Sequence, residues 1–203
     1  MAALSAVARH SPPGADSGSG DEDGALVLAA QRDPRAFGDL YLRYVTPIYR
    51  YCYRRLGTKE AAEDAASLVF TKALAGLAHY RAQGPSFRAW LFAIAHNVVV
   101  DVQRGARPAL SIDHVTDQPD AAPGPEPTAL SLEERRKVEQ LLRQLAPDQR
   151  RVIELRLAGL TTEEIAVALG RNQGAVRATQ FRAVKRLQAL LDYDAPRKEA
   201  SGV

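Results

Sequence analysis

A chain of 203 residues with 46% hydrophobic and 25% charged residues has the composition of an ordinary globular protein, able to bury one core or two small ones. The formal net charge is only +3, which excludes a basic polyelectrolyte, so any affinity for nucleic acid has to come from local clustering of cations. One cysteine, Cys52, excludes an internal disulfide and leaves no ground for a structural zinc site.

No apolar run is long enough to cross a bilayer, and the N-terminus lacks the basic start and apolar core of a secretory signal. The expectation is a cytoplasmic protein without membrane insertion. Residues 1–24, with Ser11-Pro12-Pro13-Gly14 and Ser17-Gly18-Ser19-Gly20, are expected to form a disordered leader. A short helix over Ala25 to Ala30 follows, ahead of Asp33-Pro34.

From Pro34 to Leu56, Phe37, Leu40, Tyr41, Tyr44, Val45, Ile48, Tyr49 and Cys52 recur at three- and four-residue steps, which predicts a helix with one inward stripe. Pro47 bends it without ending it, because the pattern continues in phase. A second helix over Thr58 to Ala78 turns Ala62, Ala65, Val69, Ala73, Leu74 and Leu77 inward and Glu60, Glu63, Asp64 and Lys72 outward. After the polar loop Tyr80 to Ser86, Ser86 is placed to cap a helix from Phe87 to about Arg104. Its inward side is Phe87, Trp90, Leu91, Ile94, Ala95, Val98 and Val102.

Periodicity then stops. Residues 108–129 carry Pro108, Pro119, Pro123, Pro125 and Pro127 and are expected to be a flexible linker with a full reach on the order of 80 Å. Residues 130–192 then read as a helical domain, opened by Ser131 and Glu134 as a capping box and lined by Val138, Leu141, Leu142 and Leu145. Residues 193–203 are expected as a disordered tail.

The most informative stretch runs from Pro147 to Leu191. Pro147 suits a first helical turn, Gly159 ends that helix, Thr161 and Glu164 form a T-x-x-E capping box, and Gly170 can take positive φ where the second helix stops. A third helix from about Gln173 places Val176, Ala183, Leu187 and Leu190 on one face. This is the spacing of a helix-turn-helix, whose second helix needs small or polar residues near its start to approach base edges and cations further on for phosphates. Gln173, Gly174, Ala175, Arg177, Ala178 and Gln180 meet the first need; Arg171, Arg182, Lys185 and Arg186 meet the second. The fold class expected is all-α, two small helical domains joined by the Pro-rich linker, the first over residues 25–107.

Two further segments carry a family resemblance. Ala62-Glu63-Asp64-Ala65-Ala66-Ser67-Leu68-Val69-Phe70-Thr71-Lys72-Ala73 resembles A-E-D-x-x-Q-x-V-F-x-x-A, and Phe87-Arg88-Ala89-Trp90-Leu91-Phe92-Ala93-Ile94-Ala95-His96-Asn97 resembles F-R-A-W-L-x-x-I-A-x-N. With Leu145 to Arg150 and Gly174 to Ala183, the chain resembles the extracytoplasmic-function sigma factors, two-domain subunits of bacterial RNA polymerase. Ser67 replaces the usual glutamine, and Thr179-Gln180 replaces a frequent Arg-Leu pair.

The resemblance implies that Glu63, Asp64, Ser67 and Lys72 face the clamp helices of core RNA polymerase. It also implies that Tyr80, Arg81, Arg88, Asn97 and Arg104 act at the minus-ten promoter element, and that the last helix reads the minus-thirty-five element. The partners implied are core polymerase, at its clamp helices and flap, promoter DNA, and an anti-sigma factor. No metal, cofactor or catalytic residue is expected, since phosphate-cradling loops, metal-ligand sets and nucleophile-base pairs are missing from the sequence. The alternative is a stand-alone helix-turn-helix regulator that binds an operator without polymerase.

Overall fold

The computed structural model describes residues 18–81, 84–105 and 132–194, and every regular element among them is helical. In chain order these are α1 (Gly18–Arg32), α2 (Phe37–Leu56), α3 (Lys59–Gly76), α4 (Phe87–Gly105), α5 (Leu132–Arg143), α6 (Pro147–Leu157), α7 (Thr162–Ala168) and α8 (Gln173–Asp194), with short 3-10 turns at Pro34–Ala36 and Leu77–His79. The linker expected at 108–129 and the Ser131 cap lie outside the described residues, as does the tail expected at 193–203 except for its first two residues, which close α8.

The first four helices form a bundle in which α2 packs on α1, α3 and α4. α1 begins inside the stretch expected to be a disordered leader. What ties it down is Asp23, which is buried, accepts a hydrogen bond from the Tyr44 hydroxyl and lies 3.3 Å from Arg43. Val27 and Ala30 are buried beside it. Burial and the Asp23 carboxylate both push the Tyr44 phenol upward, so it stays a donor.

Pro47 lies within α2, with buried Tyr44, Ile48, Tyr51 and Cys52 on both sides of it, so packing carries the helix through. Gly57, at φ 85°, ends α2, and its N–H donates to the Tyr53 carbonyl at 2.9 Å. Thr58 then caps α3 through its hydroxyl, which accepts from Ala61 N–H. Two residues expected inward are not: Leu74 and Tyr41 are both more than 40% exposed, because α2 and α3 splay there into an open groove.

α4 is buried on two sides, which a single amphipathic stripe does not convey. Phe92, Val99 and Ala89 join Phe87, Leu91, Ala95 and Val98 in the core, while Trp90, Ile94 and Val102 are only half-buried. One side meets α2 and α3; the other meets α7.

In the second half α8 packs on α6, α7 and α5. The expected punctuation is in place: Pro147 opens α6, Thr161 and Glu164 form the capping box of α7, and Gly159 and Gly170 adopt φ 90° and 62°. A small apolar cluster holds Leu141, Leu142, Leu145, Ile153, Ala183 and Leu187.

The two helical units are not separate bodies. Val152, Leu155, Leu160, Ile165 and Val176 belong to the same apolar cluster as Leu40, Ile48, Leu91 and Phe92. A helix-turn-helix this small has little core of its own, and laying α7 on α4 supplies one.

Candidate nucleic-acid interface

The recognition unit is built by α7, its turn and α8. Asn172 caps α8, its side-chain oxygen accepting from Ala175 N–H at 2.7 Å. Val176, Thr179, Ala183 and Leu187 are buried, which fixes the rotation of α8 about its axis. Gln173, Gly174, Ala175, Arg177, Ala178, Arg182, Lys185 and Arg186 are then exposed, and Gln180 is half-buried. Arg177 reaches the Gln173 side chain at 3.4 Å, a contact easily exchanged for a DNA group. Arg171 differs. Its guanidinium is held at 2.8 Å by Asp148, which also draws Arg151, so it braces the turn against the start of α6.

The residues assigned to the minus-ten element do not converge on one face. Asn97 and Arg104 are exposed on the outward side of α4, with Trp90 and Ile94 half-exposed along the same line. Arg88 lies on the opposite side, donating from Nε and Nη2 to the two carboxylate oxygens of Glu164 at 2.9 and 2.7 Å. Tyr80 is turned into the core; its hydroxyl donates to the Pro85 carbonyl at 2.8 Å and its ring packs on Phe87 and Trp90. It is therefore not placed to stack an unpaired base, because the ring's faces are already occupied by aromatic neighbours. Arg81 is exposed but folds onto the Ala78 carbonyl.

On α3, Glu63, Asp64, Ser67 and Lys72 are all exposed. Glu63 and Ser67 rim a groove of about 500 Å³ floored by Phe37, Val45, Tyr49, Ala66 and Phe70, with Leu74 at its edge. Lys72, nine residues after Glu63 at about 100° per residue, lies on the opposite side of α3 from that groove.

Sequence reasoning missed the contacts between the halves. Glu154, fully buried, receives Arg150 at 2.6 Å and Arg55 of α2 at 3.1 Å, while Arg150 also donates to the Arg54 carbonyl. Glu164 accepts from Ser86 at 2.7 Å as well as from Arg88 and from the Thr161 N–H. Burial alone would raise its carboxyl pKa, but these hydrogen bonds hold it below the usual range. A carboxylate inside the apolar run Val152-Ile153-Glu154-Leu155 was the available signal, since such a group is kept buried only by a partner. His96 faces the same seam, with Nδ1 3.3 Å from the Tyr51 hydroxyl. Burial, then the nearby Arg151, Arg55 and Arg171, push its pKa down to about 4.

Two sigma-70 domain models match the chain, region 2 over residues 40–108 and region 4 over residues 135–187, which places α2 to α4 in one conserved region and α5 to α8 in the other. The ECF RNA polymerase sigma factor BldN of Streptomyces coelicolor is 36% identical over 92% of this chain and 72% of its own length. ShbA of Streptomyces griseus, also an ECF sigma factor, is 39% identical over 83% of this chain and 95% of its own. Among solved structures, CnrH in complex with the cytosolic domain of CnrY superposes with a TM-score of 0.65 at 30% identity, over 85% of this chain and 99% of that one. The chain belongs to the extracytoplasmic-function sigma factors of the sigma-70 family. It is accordingly a polymerase-binding, promoter-specific initiation factor, and the ground for a stand-alone regulator is gone. No described helix is long and apolar enough to cross a membrane.

Proposed function

We propose that α8 reads the minus-thirty-five element, that the outward face of α4 around Asn97 and Arg104 acts at the minus-ten element, and that Glu63, Asp64 and Ser67 dock on core polymerase in the cytoplasm. The observation that carries this reading is α8 itself. Its buried side leaves Gly174, Ala178, Arg177 and Arg182 pointing outward together, small residues for close approach and cations for anionic partners. Arg177→Ala should weaken binding to the upstream element by about 1 to 3 kcal/mol, the range for one lost base contact. The measurement is affinity of the holoenzyme for promoter duplex; unchanged affinity refutes the assignment.

The packed arrangement is, on this reading, a resting form. α7 lies between α4 and α8, so the two DNA-facing helices stand about two helix spacings apart, on the order of 20 Å. Elements about two duplex turns apart are roughly 70 Å from one another. The halves must therefore separate for both elements to be read at once. The residues between Gly105 and Leu132 reach on the order of 80 Å when extended, which suffices. CnrH is solved in complex with the cytosolic domain of CnrY, and on that ground we assign an anti-sigma partner to this chain.

A further inference from the structure

Gln31, near the end of α1, lies outside both matched sigma-70 regions, yet its side chain is committed to one of them. A primary amide nitrogen carries two hydrogens, and both are used here. Nε2 donates to the Leu77 carbonyl at 2.9 Å and to the Tyr80 carbonyl at 3.0 Å, 46 and 49 residues along the chain. Those two carbonyls bracket the 3-10 turn that joins α3 to the loop before α4. Gln31 is exposed, so it is no part of the core; what it does is hold this turn from outside.

Trp90 rests on the clamped segment. At one end of it the indole lies over Gly76, where a Cβ would come within 3.2 Å of Cζ2. At the other end it packs on Tyr80, with ring centroids 5.2 Å apart, and Tyr80 is itself fixed by the bond from its hydroxyl to the Pro85 carbonyl. Among the described residues no hydrogen bond holds the indole, so its place is set by packing on this seat. The ring is half-buried, and its open part lies on the same side of α4 as Ile94, Asn97 and Arg104.

We propose that Gln31 is a positioning residue for promoter opening: by clamping the turn at residues 77–80 it fixes the seat of Trp90, and with it the N-terminal end of the α4 face assigned above to the minus-ten element. The inference rests on that assignment. Gln31→Met tests it, because methionine is close to glutamine in length and helix propensity and has no donor. Trp90 is the one tryptophan of the chain, so the emission of the free full-length protein reports the seat directly. In Gln31→Met that emission should shift to the red and be more readily quenched by acrylamide, with the melting temperature near wild type.

In the holoenzyme at saturating concentration, permanganate reactivity of the unpaired promoter thymines should fall about five-fold, equivalent to about 1 kcal/mol, the low end for two neutral hydrogen bonds at an exposed position. Retention on core polymerase should not change. If Gln31 acts through Trp90, the two substitutions are not additive, and Gln31→Met added to Trp90→Phe should alter opening by less than about two-fold. Unchanged Trp90 emission, unchanged opening, or an equal loss of opening with and without Trp90→Phe overturns the proposal. So does a loss of core retention large enough to account for the loss of opening. Asn97→Ala run in parallel separates the two readings. If Asn97→Ala is defective while Gln31→Met opens the promoter normally, only the role of Gln31 fails; if Asn97→Ala opens it like wild type, α4 fails as the minus-ten face and Gln31 with it.

Discussion

Replacing Glu164 by glutamine isolates what holds the two halves together. Glu164 has two roles, the N3 position of the α7 capping box and acceptor for Ser86 and Arg88 across the seam. Glutamine serves a capping box nearly as well as glutamate, so α7 itself should remain. The bidentate pair with Arg88 does not survive, because a carboxamide offers one acceptor oxygen and no charge. Exchanging two hydrogen bonds between charged partners, about 1.5 to 3 kcal/mol each, for a single one from the guanidinium to a neutral oxygen, about 1.5 kcal/mol, costs on the order of 2 to 3 kcal/mol after allowing for the partial exposure of Arg88. That moves the closed-to-open ratio about 30- to 150-fold. Dye pairs at Glu60→Cys and Ala189→Cys, both exposed and on different halves, should report a longer mean distance in Glu164→Gln, with helicity unchanged. The buried Cys52 should not label. The charge exchange Arg88→Glu with Glu164→Arg should partly restore the short distance. A distance distribution identical to wild type would refute the idea that this ion pair is a strap.

Asp64→Arg should abolish or strongly reduce retention on core polymerase while leaving the melting temperature near wild type, because Asp64 is exposed and carries no core contact; normal retention counts against α3 as the docking face. Acidification should open the halves. His96 has its pKa pushed down to about 4, so it is neutral in the closed form, and that form loses stability as pH falls from about 6.5 toward 4, where an opened His96 would take up a proton and the closed one resists. Glu164 contributes only at the acid end of that window, since its carboxyl is held below the usual range and its stabilisation begins to be lost as pH falls through about 5 to 4, the ordinary glutamate range, and goes on being lost below it. His96→Gln should flatten the dependence of the dye distance on pH between 6.5 and 4; an unaltered profile assigns it to another group. Leu155→Ala, at a fully buried position, should cost about 2 to 5 kcal/mol of stability by thermal or urea denaturation.

The local structure was legible because it is written in nearest neighbours. Pro147, Thr161 with Glu164, and Gly170 act within three or four residues, and each helix boundary they predict is observed. The recognition helix was equally legible, its rotation set by Val176, Ala183 and Leu187 in a regular repeat. What escaped was whatever depends on residues far apart in the chain. Tyr80 reads as an aromatic in a polar loop and only the arrival of Phe87 and Trp90 buries it. Arg88 reads as a free cation because Glu164 lies 76 residues away. Asp23 reads as one acid in a Gly-rich leader until Tyr44 is placed above it. α4 shows the general reason. A helix covered on two sides has too wide an apolar arc for one stripe, and the extra residues Phe92 and Val99 are visible only if a second covering element is expected.

The same geometry makes Arg88 an ambiguous residue in a way that experiment can resolve. Its guanidinium is committed to Glu164 in the closed form, on the side of α4 away from Asn97 and Arg104, so it cannot meet a DNA phosphate until α7 has left. Opening and the freeing of Arg88 are one event. If Arg88 then contacts the melted strand, Arg88→Ala should reduce open-complex formation by the holoenzyme, whereas Glu164→Gln, which frees the same group, should not. If Arg88 is only a strap, the two substitutions should act alike, both favouring the open form and neither lowering promoter opening. Permanganate footprinting of the unpaired thymines on one promoter, with both variants at saturating concentration, distinguishes the cases: opposite signs place Arg88 on DNA, and equal signs remove it from the minus-ten interface.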